Sequence, residues 1–361
     1  MTNQTMKRRL VQAAAGTAIA SLMLAGCAAN EAGDTPSALR GTLDGAGSSA
    51  QAAAQEVWVS EFQKANSRVT INYDPTGSGA GREQFIGGGV DFAGSDSALS
   101  DDELAGEFAG CAPGSRAIDL PMYVSPLVLI FNVEGLDALR LDAATIAGIF
   151  SGAITKWNDP ALVALNPDAP LPSTGISAVH RSDDSGTTKN FADYLYQNVP
   201  EVWTEEPADA FPFGGEGAQG NSGVVSAVTN GRNTIGYADA SRAAGLNVAS
   251  LRVGDEFVDF SAEAAAAIID ASPSVARENP NDLVIDVDRK TTAAGVYPLV
   301  LVSYLIACEV YPDAEQAELV RAYLSFIAGA EGQQAAAKGA GSAPLSSEVS
   351  TRVLAAVETI E

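Results

Sequence analysis

Two kinds of hydrophobic pattern take turns along the chain. Val69, Ile71 and Tyr73 alternate with polar neighbours, as the inward positions of a strand do. VDFAGSD (90–96), MYVSPLVLIFN (122–132), ISAVH (176–180) and NTIGYAD (233–239) read as further strands. Between them the spacing changes. Ala50, Ala53, Ala54, Val57, Trp58 and Phe62 recur every three or four residues and predict a helix over 49–62, with Ser48 and Gln51 in capping-box form. PTGSGAG (75–81) breaks the chain before a short helix at REQFIGG (82–88), Ser100 and Glu103 cap the next, and helical stretches follow at 181–198 and 221–231. Strands alternating with helices predict an α/β architecture of mostly parallel sheets with helices on both faces.

The amino terminus follows another rule. Lys7, Arg8 and Arg9 precede an apolar run that ends at Leu24, Ala25, Gly26 and Cys27, the form of an export signal. These last four residues resemble the lipobox of bacterial lipoproteins, which makes 1–26 a signal peptide and Cys27 the lipidated first residue of the mature chain. An ordinary signal peptide or a single membrane anchor are the other readings. Residues 27–41 are small and polar and read as a tether. Elsewhere the most apolar stretch, GVYPLVLVSYLIACEVYP (295–312), is interrupted by Pro298 and polar residues, so the body is expected outside the cytoplasm, held to the outer face of the membrane only through lipid.

At 46% hydrophobic and 18% charged residues, the 361-residue chain is too apolar to be disordered and long enough for two domains. Its formal net charge is −24, and −27 once the signal and its three cations are gone. That balance argues against nucleic acid or an anionic membrane surface as partner. One histidine, His180, and three cysteines argue against a zinc site. With Cys27 lipidated, Cys111 and Cys308 remain as an even pair in an oxidising compartment, either as a disulfide or as two buried thiols.

Four loops share one chemistry: DGAGSSAQ (44–51), PTGSGAG (75–81), FAGSDSALS (92–100) and HRSDDSGTTKN (180–190). Each offers unobstructed backbone N–H groups and hydroxyls, and three sit at expected helix N-termini, whose first N–H groups lack intrahelical partners and attract anions. Singly, each reads as an N-cap or turn; together, with Arg181 as the one formal cation, they suggest an oxyanion site. No Gly-Lys-Ser/Thr follows GSGAG as a P-loop requires, and no G-x-S-x-G elbow is present. His180 near Ser182 and Ser185 does not by itself make a triad, and reads as a strand-end side chain.

GAGSSAQAAAQEVWVSEF, YDPTGSGAGREQFIGGGVDFAGSDSALSDDEL, ITKWNDPALVALNP, VHRSDDSGTTKNFADYL and NTIGYAD resemble the phosphate-binding lipoproteins of phosphate-specific ABC importers, most of all their actinobacterial members. The resemblance runs from about residue 42 to the carboxyl end. It implies a two-lobed type II periplasmic-binding-protein fold, with 42–125 plus 300–361 as one lobe, 126–299 as the other, and the anion in the cleft. It implies as ligands Ser49 and the Ala50 N–H, Ser78, Asp96, and Arg181, Ser185, Gly186 and Thr187, with Asp183 paired to Arg181. Where this chain has Ser49 and Ala50 the family commonly has Thr and Phe; the hydroxyl and the N–H survive, the bulky neighbour does not. A monomer without cofactor or enzymatic activity is expected, delivering phosphate to permease subunits. Sulfate or molybdate is the rival ligand, and a secreted phosphohydrolase using Ser182 or Ser185 the rival of another class.

Overall fold

The computed structural model describes residues 38–361, so the signal segment 1–26, Cys27 and the tether up to residue 37 lie outside the described residues. The strands are β1 (Gly41–Gly47), β2 (Val69–Asp74), β3 (Phe92–Ser95), β4 (Ala117–Asn132), β5 (Arg140–Leu141), β6 (Ser177–Arg181), β7 (Glu216–Ala218), β8 (Thr234–Asp239), β9 (Asn247–Val248), β10 (Ser250–Val253), β11 (Glu256–Val258), β12 (Ser274–Val275), β13 (Val284–Ile285) and β14 (Val300–Cys308). The α-helices are α1 (Ala52–Ala65), α2 (Ser78–Ile86), α3 (Asp101–Leu104), α4 (Ala143–Phe150), α5 (Pro160–Leu165), α6 (Gly186–Asn198), α7 (Gly220–Asn230), α8 (Ala262–Ala271), α9 (Ala314–Ala328), α10 (Ala330–Ala340) and α11 (Ser347–Val357). No helix among the described residues is long and apolar enough to cross a membrane.

Nine strands form one sheet in the order β2-β1-β3-β14-β4-β8-β6-β7, with β9 added on β4. Its flanks are parallel, β1 with β2 and β3, and β6 with β7 and β8. Its centre is antiparallel, because β14 and β4 run against each other and against their outer neighbours. β4 joins the two halves. From Ala117 to Pro126 it pairs with β14, and from Leu127 to Asn132 with β8. Proline cannot donate to a ladder and is confined to irregular positions, and the two prolines of β4 obey that rule. Pro126 stands where the partner strand changes, and Pro121 stands at a register shift between Ser303 and Tyr304 of β14.

β1 has three glycines in seven residues, GTLDGAG, which hid it from the hydrophobic pattern. Packing demands them. A Cβ on Gly45 would lie 2.3 Å from the Phe92 ring, and one on Gly47, at φ +136°, would lie 2.0 Å from the Gly94 carbonyl oxygen. In the first half of the sheet Trp58, Phe62, Phe92 and Tyr323 are buried around this strand. In the second, Phe191 stacks on Tyr237 with ring centroids 4.2 Å apart. Cys111 and Cys308 form a disulfide with their Cα atoms 5.4 Å apart, tying the end of β14 to the loop after α3.

Candidate functional site

The capping box expected from Ser48 and Gln51 forms only in part. Ser48 Oγ accepts from the N–H groups of Ala50 and Gln51, at 3.1 and 3.3 Å. Gln51 does not reach back to Ser48: its amide donates to Ser303 Oγ at 2.7 Å and to the Tyr304 carbonyl at 2.9 Å. A buried amide needs hydrogen-bond partners, which Gln51 finds on β14, and α1 starts at Ala52 rather than at residue 49. Ser100 with Glu103, in contrast, makes the complete box.

The loops after β1, β2, β3 and β6 converge. Asp96, just past β3, is 3% exposed. Its Oδ1 accepts from Ser48 Oγ and, at 2.5 Å, from Ser303 Oγ; its Oδ2 accepts from Thr187 Oγ1 at 2.8 Å. Its N–H donates to Ser78 Oγ at 3.1 Å, on the first residue of α2. Burial pushes the Asp96 carboxyl above its ordinary range, while the hydroxyls of Ser303, Ser48 and Thr187 and the charge of Arg181 work to lower it.

Arg181 ends β6 and is 2% exposed. Nε donates to Asp183 Oδ1 at 2.8 Å, Nη2 bonds Asp183 Oδ2, and Nη1 donates to Thr187 Oγ1 at 3.3 Å. The expected Arg181–Asp183 pair is thus present as a two-point fork. Burial works to raise the Asp183 carboxyl, but the hydrogen bonds and charge of Arg181, with the Gly220 N–H at 3.0 Å, hold it below its ordinary range. Gly186 opens α6 so close to the other half that a Cβ there would lie 2.8 Å from both Asp96 Cβ and Ser78 Oγ.

Three expected groups are engaged within the chain itself. Ser49 Oγ accepts from the backbone and side-chain nitrogens of Asn221, both at 3.1 Å. The Ala50 N–H donates to Ser48, and Ser185 Oγ accepts from the Thr188 N–H at 3.2 Å as the N-cap of α6. His180 sits on neither hydroxyl. Its ring stacks on Phe211 at 4.2 Å and Nδ1 meets the Arg181 carbonyl at 2.8 Å.

Arg181 is not the only cation here, which corrects the expectation of one. Arg82, on α2 and 7% exposed, donates from Nε to Glu103 at 2.8 Å and from Nη2 to Asp209 at 2.6 Å. Its Nη1 reaches the hydroxyls of Ser95 and Ser97, on either side of Asp96, at 3.1 and 3.2 Å. Asn221 also escaped the pattern, although AQGNSG, which runs from the end of β7 into α7, is a fifth junction of the same small polar kind. Asn190 ties α6 to the Asp96 carbonyl at 2.6 Å. A cavity of about 460 Å³ reaches Asp96 and Asn190 past Lys189, Asp193 and Arg289.

These elements bring a guanidinium fork, hydroxyls and one acceptor carboxylate from both halves of the sheet to one water-poor place, the combination that holds a small oxyanion by hydrogen bonds. Residues 32–331 match the family described as a PBP superfamily domain. Phosphate-binding protein PstS3 of Mycobacterium bovis (strain BCG / Pasteur 1173P2) is 38% identical over 327 residues, covering 88% of this chain and 86% of that protein. Phosphate-binding protein PstS 3 of Mycobacterium leprae is 37% identical over 90% of this chain and 92% of its own length. In fold, the chain is similar to a high-affinity periplasmic phosphate-binding protein, PfluDING, solved with phosphate bound, at a TM-score of 0.69 and 23% identity, covering 87% of this chain and 93% of that one. Family profile, relatives and fold agree: the chain belongs to the phosphate-binding, ABC-transporter substrate-binding proteins of the PBP superfamily and has their type II two-lobed α/β fold.

Proposed function

We propose that the protein captures inorganic phosphate outside the cytoplasm and delivers it to the permease subunits of an ABC importer, as a lipid-anchored monomer without catalytic activity. The observation that carries the reading is the convergence of Arg181, Thr187, Ser49 and Asp96, from both halves of the sheet, around one set of shared hydrogen bonds. The names of the mycobacterial relatives support it. The ligand groups would be Ser49, the Ala50 N–H, Ser78, Asp96, Arg181, Ser185, Gly186 and Thr187. The lobes expected at 42–125 plus 300–361 and 126–299 are supported by the change of β4 partner between Pro126 and Leu127.

Asp96 sets the choice of anion. At neutral pH phosphate keeps one or two protons and sulfate none, so an ionised carboxylate accepts from the first and meets a lone pair of the second. The non-enzymatic reading is supported by His180, stacked on Phe211 with Nδ1 at a backbone carbonyl, and by Ser185, which caps a helix.

Calorimetry of the mature domain against phosphate, arsenate, sulfate and molybdate tests the reading, with a chromogenic phosphate ester assayed in parallel. Stoichiometric binding of phosphate and arsenate, little response to sulfate or molybdate, and no ester turnover are expected; a preference for sulfate, or turnover, would overturn it. Cys27→Ala should release the protein to the medium or leave unprocessed precursor, and membrane retention of a processed, mature-length chain would count against the anchor.

A further inference from the structure

The hydrogens around Asp96 have no freedom of direction. Gln51 Oε1 accepts from Gln55 Nε2 at 3.1 Å and Gln51 Nε2 faces the Tyr304 carbonyl, which fixes the amide orientation. Nε2 therefore donates to Ser303 Oγ, and the single hydrogen of that hydroxyl is left for Asp96 Oδ1. Ser48 is constrained likewise, because its oxygen already accepts from the Ala50 and Gln51 N–H groups. Thr187 Oγ1 accepts from Arg181 and from Asn221 Nδ2, an amide whose Oδ1 is fixed by the Asp239 N–H at 2.8 Å. Its hydrogen also goes to Asp96.

Three hydroxyls thus spend their only hydrogens on one carboxylate, filling three of its roughly four acceptor positions. Each donated hydrogen favours the ionised carboxylate over its protonated form. The remaining position is thereby held as an acceptor for a hydrogen of the ligand.

We infer that Ser303 and Gln51 are positioning residues that hold Asp96 as an acceptor, so that the preference of the cleft for a protonated oxyanion over an unprotonated one depends on them. This rests on reading the cleft as an oxyanion site. Ser303, on β14, lies outside the loops whose hydroxyls and N–H groups face the anion in that reading, and Gln51, the last residue of the first loop, turns its amide away to Ser303 and Tyr304. Without the Ser303 hydroxyl, Asp96 loses a charge-assisted donor that favours its ionised form, and a protonated Asp96 can donate to sulfate.

Competition titrations of phosphate against sulfate on wild type, Ser303→Ala, Gln51→Met and Ser303→Thr test this. A hydrogen bond to a charged group supports a change of about tenfold, so Ser303→Ala should lower the phosphate-over-sulfate ratio at least about tenfold, and Ser303→Thr, which restores the hydroxyl, should recover most of it. Gln51→Met frees the Ser303 hydroxyl to turn and should lower the ratio about threefold or more, even if Ser303→Ala does not fold. A purely structural role weakens both anions in proportion, so an unchanged ratio in Ser303→Ala or, should it not fold, in Gln51→Met overturns the inference while leaving phosphate binding standing. A wild type that binds no phosphate, or sulfate equally well, overturns both.

Discussion

The Arg181 guanidinium sits almost wholly out of water, with Asp183 holding two of its nitrogens and Thr187 the third. Its fork is therefore set before any anion arrives, and the ordering cost of a long side chain is already met by the fold. Arg181→Ala would leave Asp183 as an uncompensated carboxylate beside an incoming anion. Breaking such a charge-paired contact costs about 2 to 5 kcal/mol, so phosphate affinity should fall at least about thirtyfold by calorimetry. A loss of threefold or less would move the site elsewhere. Arg181 stood out in the sequence as a cation among small polar residues, whereas Asp96, Asp183 and Thr187 were named only through the family resemblance; hydrogen bonds join the four in the structure. Ser303 did not stand out. It is one hydroxyl in VLVSYLIAC, a run buried along its whole length, and nothing local says that its partner lies 207 residues away. Arg82 escaped for the same reason, since its partner Asp209 lies 127 residues on, in the loop between α6 and β7.

At the scale of elements, the strands with clear alternation or terminal polar loops came out where the pattern placed them, as β2 and β8 do. β1 did not, because its glycines are required by contacts with Phe92 and Gly94 that sequence spacing cannot reveal. The stretch containing β14 lacks any period for a second physical reason. A strand inserted between β3 and β4 is covered on both faces, and a fully covered strand reads as an unbroken apolar run. Its antiparallel insertion makes the sheet centre differ from the parallel flanks. The disulfide fixes the end of this strand across a separation of 197 residues. Cross-links that close long loops restrict the unfolded chain most. Changing Cys111 and Cys308 together to Ser should therefore lower unfolding free energy by about 2 to 5 kcal/mol in urea titrations. A change below about 1 kcal/mol would mean that the reduced chain keeps those segments together by packing alone.

For the whole molecule the formal charge of −24 sets a conflict that the local geometry must win. Hydrogen-bond donors at contact distance in a water-poor cleft act at low effective dielectric, whereas the surplus carboxylates act through solvent and are screened over about 8 Å at physiological salt. The two terms therefore separate in kinetics. Surface charge is felt during approach and should slow association of an anion, while the bound state is governed by contacts such as Arg181, Thr187 and Asp96, which salt hardly reaches. Raising ionic strength from about 10 to about 150 mM shortens the screening length from roughly 30 to roughly 8 Å. The association rate of phosphate, read by stopped-flow intrinsic fluorescence, should then rise at least about threefold, with the dissociation rate changing less than about twofold. The opposite trend, association slowing as salt is added, would mean that Arg181 and Arg82 project a positive field out of the cleft strong enough to steer the anion past the acidic surface. The pairing of Arg82 with Glu103 and Asp209, and of Arg181 with Asp183, argues against that outcome, because each guanidinium is neutralised at short range before its field reaches solvent.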